Sequence, residues 1–158
     1  MTRSQMFGPA IDHAYDWIAE IAENLGLSSA EDPRALHALR AGLHAIRARL
    51  PLHEVIDLGA QLPVLIRGIY YEGLSSNHQP TKIRTAEQMV DRVRAELGTE
   101  QRIQPIDVLR ATIHLLVEHI SEGEIRDVVS TLPAPIAQLW HDLTGHALLE
   151  PMPRATSD

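Results

Sequence analysis

The sequence predicts an all-α fold: two tandem-duplicated four-helix units packed into one helical, bundle-like domain with a pseudo-two-fold relation. Three observations predict it. First, much of Leu39 to Leu74 returns 70 positions later. Leu39, Arg40, Ala41, His44, Glu54, Asp57, Leu62, Pro63 and Ile66 recur as Leu109, Arg110, Ala111, His114, Glu124, Asp127, Leu132, Pro133 and Ile136. Like-for-like exchanges lie between them, among them Leu43 with Ile113, Val55 with Ile125 and Glu72 with Asp142. A match at one offset that keeps charged as well as apolar residues marks an internal repeat. Second, apolar residues recur at the three-and-four spacing of a helix face, and third, no stretch alternates as a half-buried strand does.

The first helix is expected from about Ile11 to Leu25, after a frayed start. Ile11, Ala14, Ile18, Ile21 and Leu25 share one face, and Gly26 is a natural stop because it can take the left-handed conformation. Ala86, Met89, Val93 and Leu97 repeat the pattern before Gly98. Asp32-Pro33 reads as a cap followed by a first-turn proline, opening a long helix to about Leu50. Leu39, Leu43, Ile46 and Leu50 form its core stripe, which places His37, Ala41, His44 and Ala48 on the far side. Leu109, Ile113, Leu116 and Ile120 form the matching stripe.

A short helix is expected after each long one. Ser121 and Glu124 have the capping-box spacing, in which the hydroxyl accepts from the Glu124 amide and the carboxylate reaches back. Pro51 and Glu54 hold these places in the first copy. Leu62-Pro63 and Leu132-Pro133 end the short helices, since a residue before proline is driven from helical geometry. A fourth helix then runs over Val64 to Glu72, and over Pro135 to Leu143 in the second copy. The expected organisation is a flexible N-terminus (1–9), unit one (10–74), a polar linker (75–84), unit two (85–146) and a flexible C-terminal tail (147–158).

With 158 residues the chain is long enough to bury a core without staples. It has no cysteine, which excludes disulfides and thiolate ligands and suits a reducing cytoplasm. A net charge of −7 disfavours a nucleic-acid backbone or an anionic membrane as partner, and no apolar run approaches a membrane span. A helix-turn-helix over Glu54 to Tyr71 would offer Arg67 alone to bases and set Glu54 and Asp57 against phosphates, a poor DNA surface.

Leu39-Arg40-Ala41, Ala60-Gln61-Leu62-Pro63 and Arg67-Gly68-Ile69-Tyr70-Tyr71-Glu72-Gly73 come in an order that is continued by Pro80, Arg84, Ile120-Ser121-Glu122-Gly123-Glu124 and Leu132-Pro133. In this the chain resembles the prokaryotic family known only as domain of unknown function 2267, from roughly Ile11 to Leu143. It departs from that pattern at Leu74, where an aromatic is usual, and at Gly42, where a larger apolar residue is. The resemblance implies an all-helical bacterial protein and transfers no functional residue.

Nine histidines invite a metal reading, with the repeated His44 and His114 at its head. No His-Glu-x-x-His run or other ligand spacing supports it, so no metal or cofactor is expected. His141 and His146 flank Asp142, but no Gly-x-Ser-x-Gly elbow or reactive cysteine completes a hydrolase. The repeated Arg40, Arg110, Glu54, Glu124, Pro63 and Pro133 are read as structural, with arginine-carboxylate pairs tying helices together. Arg67, Tyr70, Tyr71 and Glu72 differ from their counterparts Ala137, Trp140, His141 and Asp142, and divergence between copies is where a single-site function would lie.

The expectation for function is a non-catalytic cytoplasmic module for protein interaction or assembly, with a protein partner or self-association as a homodimer, and no nucleic acid or membrane. The alternative is a small-ligand binder or enzyme with a pocket at the seam between units, lined by Arg67, Tyr70, Tyr71, Trp140 and His141. An exposed apolar patch favours the first, and a deep polar concavity the second.

Overall fold

Helix α2 (Asp32–Arg49) is the post around which the chain is arranged, packing against α1 (Arg3–Asn24), α4 (Val64–Tyr71), α5 (Ala86–Leu97) and α6 (Pro105–His119). The remaining helices are α3 (Leu52–Ala60), α7 (Glu122–Ser130) and α8 (Ala134–Thr144). The computed structural model describes residues 1–100 and 102–145. Among these residues it is all-helical, with one 3-10 turn at Ser29–Glu31 and no strand. His146 and the tail at 147–158 lie outside the described residues.

Both predicted stripes are core. Leu39, Leu43, Ile46 and Leu50 are buried, as are Leu109, Ile113, Leu116 and Ile120. What the periodicity did not show is that α2 is enclosed on nearly every side. Ala41 and Ala48, expected on the far face, are buried too, because α1, α4, α5 and α6 surround the helix and small side chains let them come close.

The N-terminal reading needs correction. Helix α1 begins at Arg3 rather than near Ile11, because Thr2 and Gln5 form a reciprocal cap. Thr2 Oγ1 accepts from the Gln5 amide (3.2 Å), and Gln5 Oε1 accepts from the Thr2 amide (2.8 Å). Ile11, placed on the buried face by its spacing, is exposed, whereas Ala14, Ile18 and Ile21 are buried. The helix overshoots the body. Its end is as expected, with Gly26 taking a φ of 69° just beyond the last turn, and Gly98 does the same after α5 at 63°.

Smaller differences have local causes. Asp32 is the first residue of α2 rather than its cap, since the 3-10 turn runs directly into the helix and Pro33 takes the first turn. Helices α4 and α8 end at Tyr71 and Thr144, each a residue from expectation. The linker at 75–84 is irregular but tied down. His78 Nε2 donates to the Leu50 carbonyl (2.7 Å), the Thr81 amide to Ala48 (2.8 Å) and Arg49 Nε to Ile83 (2.9 Å). The first two satisfy carbonyls at the end of α2 that have no partner within the helix, and in the third α2 itself donates to a linker carbonyl.

Helix α4 packs on α1, α2 and α3, and α8 packs on α5, α6 and α7. Helices α3 and α7 meet each other. Among the described residues no helix is long and apolar enough to cross a membrane.

Candidate functional site

Arg67, Tyr70 and Tyr71, three of the five residues expected to line a seam pocket, all bond to α3. Arg67 is spent within α3 and its exit: Nε donates to Gly59 O (2.7 Å), and Nη2 to Ala60 O (3.1 Å) and Leu62 O (2.9 Å). One guanidinium thereby satisfies the orphan carbonyls where α3 ends, which its planar fork of donors suits. Tyr70 is buried, its hydroxyl donating to Val55 O at 2.8 Å. Burial and the neighbouring Tyr71 ring push its ionisation well above the ordinary range for tyrosine. Tyr71 crosses to Ile56 O at 3.4 Å, and Glu72 takes the Arg40 Nε at 3.1 Å. Trp140 is buried against Met89, Leu109, Ile113 and Ile136. His141 follows it on α8, and neither the small cavity beside Trp140 nor the groove between α1 and α6 is lined by Arg67, Tyr70 or Tyr71.

The repeated polar residues separate into two groups. Arg40 pairs with Glu72, and Arg110 with Asp107 at 2.8 Å within α6, so neither guanidinium reaches the repeated carboxylates Glu54 and Glu124. His44 Nε2 donates to Ile69 O at 2.8 Å, and its Nδ1 stands 3.9 Å from Glu96. Burial is the main reason that its pKa lies below the ordinary imidazole value. His114 instead lines an open groove of about 470 Å³ between α1 and α6, with Glu20, Glu23, Arg110 and Glu118. Pro63 and Pro133 sit at the caps of α4 and α8. Among the described residues no three His, Asp or Glu side chains are placed to hold a metal ion.

Glu54 and Glu124 meet across α3 and α7. Both are buried, with 4% and 8% of their surface exposed, and one carboxylate oxygen of each is buried without a hydrogen-bond partner. Each is the third residue of its helix, where the carboxylate ordinarily turns back to the cap amide. Neither does. Ser121 Oγ accepts from the Glu124 amide at 3.3 Å as expected, but the Ser121 amide donates to Gln61 Oε1 (3.1 Å), and Gln61 Nε2 donates to Ser121 Oγ (3.2 Å). Gln61, from the end of α3, supplies the acceptor that Glu124 would have been. In α3 the cap is Pro51, which has no amide hydrogen to offer.

Both carboxyls are therefore free to face one another, within hydrogen-bonding reach. Removal from water, the bond to Glu54 and the charges of Glu54, Asp57 and Asp127 push the Glu124 carboxyl up to about 8. The only ionisable base close to the pair is His53, whose Nε2 stands 3.9 Å from Glu54 among the described residues.

The second unforeseen feature is apolar. Met6, Phe7, Ile11 and Tyr15 are exposed by 54%, 60%, 43% and 56%. Phe7 and Ile11 continue the face on which Ala14, Ile18 and Ile21 enter the core, so among the described residues the stripe runs on past its buried part and stays exposed. The Thr2-x-x-Gln5 spacing and the Phe7–Ile11–Ala14 periodicity were the signals for it.

A family model described as "Uncharacterized conserved protein (DUF2267)" matches residues 14–139. No curated protein matches the chain.

Proposed function

The chain belongs to the uncharacterised conserved family DUF2267, whose description assigns no activity, and from its own surface we propose that it is a non-catalytic helical assembly module. The observation that carries this reading is the overhang of α1. Residues 3–13 are helical yet none of them is buried, and a helix of three turns with little packing is marginal in water. An apolar stripe on such a helix is stabilised by being covered.

The occupant is a second copy of the chain, paired antiparallel through α1. With Ile11 at the centre, Phe7 of one copy meets Tyr15 of the other, a self-complementary contact of the kind a two-fold dimer requires. Charge favours the same direction. Arg3 opens the helix, while Asp12, Asp16, Glu20 and Glu23 follow, so antiparallel pairing sets the basic start of one against the acidic length of the other. Residues 3–13 precede the residues that the family model matches, and Tyr15 falls within them.

Within the body, the tandem-duplicated reading is also a proposal: unit one at 10–74, a linker at 75–84 and unit two at 85–146, related by a pseudo-two-fold axis. The packing scheme supports it. Exchanging α1–α4 for α5–α8 turns the α1–α2 contact into α5–α6, α1–α6 into α5–α2, α2–α4 into α6–α8 and α3–α4 into α7–α8. The α2–α6 and α3–α7 contacts map onto themselves, which is where an axis passes.

Sedimentation velocity over a concentration series tests the assembly. The wild-type chain is expected to dimerise, and Phe7→Ser combined with Ile11→Ser to remain monomeric with unchanged helix content. A wild type that stays monomeric at all concentrations, or a variant that dimerises equally well, overturns the reading.

A further inference from the structure

We propose that Glu54 and Glu124 form a proton-locked clasp between α3 and α7, closed while Glu124 keeps its proton and donates it to the Glu54 carboxylate, and released when that proton leaves to solvent. Three observations carry it. The two carboxyls are more than nine-tenths buried, they face each other across two helices, and each keeps an oxygen with no other partner. Two ionised carboxylates are strongly disfavoured in such a place, because each has lost its water and the one base beside them, the largely exposed His53, reaches only Glu54, at 3.9 Å.

The surroundings push in one direction. From α3 come Glu54 and Asp57, with His53 beside Glu54; from α7 comes Asp127; from α4, packed on α3, comes Tyr70, whose hydroxyl is held by Val55. Helices α6 and α8 also pack on α7 but supply none of the charges that act most strongly on Glu124. The positive N-terminal ends of α3 and α7 favour ionisation, a modest effect confined to the first turn. It is outweighed by burial beside three other carboxylates.

The cap arrangement shows how the clasp is held ready. Gln61 takes the Ser121 amide and Pro51 has none, so neither glutamate is drawn back to its own helix end. Deprotonation then leaves two like charges in contact, and the least costly relief is for α7 to swing away from α3 so that water enters. The rest of the core, centred on α2, α5 and α6, does not depend on this contact.

The test combines ¹³C-carboxyl titration of the full chain with amide exchange, corrected for intrinsic rates, at about pH 6 and about pH 9. The expected result is a Glu124 carboxyl that titrates far above the ordinary glutamate range. Protection of α3 and α7 should fall roughly tenfold or more between the two conditions, while α2 and α6 hold theirs. In Glu124→Gln, whose amide donates to Glu54 at every pH, that fall is expected to vanish. A Glu124 carboxyl that titrates in the ordinary acidic range, equal α3 and α7 protection at both pH values, or an undiminished fall in Glu124→Gln overturns the clasp. Where the variant does not fold, the wild-type titration and exchange decide alone.

Discussion

Gly42 and Thr112 occupy a single point of contact between α2 and α6: a Cβ built on Gly42 would stand 2.0 Å from Thr112 Oγ1. The threonine has nowhere to go, being fully buried with its hydroxyl donating to Val108 O at 2.8 Å. The two residues are 70 positions apart, so the proposed two-fold axis brings one position of the repeat against itself. There a small residue on one side is the condition for a larger one on the other.

Gly42→Ala is therefore expected to destabilise the protein by about 1–3 kcal/mol, the range for overpacking a filled core, although alanine is the better helix former. Thr112 Cβ would also stand 2.8 Å from the added methyl, so adding Thr112→Gly, which removes both atoms, is expected to relieve the steric part of the loss. Urea midpoints of the two single variants and the double variant check this through their non-additivity.

The pH dependence of stability has two sides. His44 is held below its ordinary value of 6.5, so the unfolded chain takes up a proton more readily than the folded one; stability is intact above about pH 6.5 and lost as the pH falls below it. Glu124 is raised from 4.5 to about 8, so the folded chain is the better proton holder; its contribution is full below 4.5 and is lost as the pH rises through about 8. Denaturant midpoints measured from pH 4 to pH 10 are expected to flatten on the acidic side in His44→Gln and on the alkaline side in Glu124→Gln.

Arg67 is expected to be a stability residue. Arg67→Met leaves the carbonyls of Gly59, Ala60 and Leu62 without their donor and should cost roughly 1.5–3 kcal/mol, the range for a hydrogen bond to a charged group. Arg67→Lys should recover little, because a single ammonium cannot span three carbonyls held in a fixed fork. Thermal melts of the two variants distinguish this from a binding role, in which stability would be unchanged.

How much was legible can be seen residue by residue. The Leu39 and Leu109 stripes were readable because a helix buries residues by local spacing, and spacing is a property of neighbours. The same logic misplaced Ile11, since whether a face is covered depends on where the body ends. Ala41 and Ala48 fit either face and took the one that four surrounding helices left them. Ser121 and Glu124 had the spacing of a capping box, but Gln61, sixty positions away, took over the acceptor role. That exchange is invisible locally, and with it the meeting of Glu124 and Glu54. Arg67, Tyr70, Tyr71 and Glu72 stood out by differing between the copies. In the structure they contact α3 and Arg40, partners set by tertiary position alone.

The assembly contact admits one direct measurement, because the chain contains no cysteine and a single introduced thiol reports its own surroundings. In the antiparallel pair Ile11 of one copy faces Ile11 of the other, so Ile11→Cys is expected to oxidise quickly to a disulfide-linked dimer. Asp91→Cys, at an exposed position on α5, should stay monomeric under the same conditions. An Ile11→Cys chain that cross-links no faster than Asp91→Cys would contradict the pairing of copies through α1.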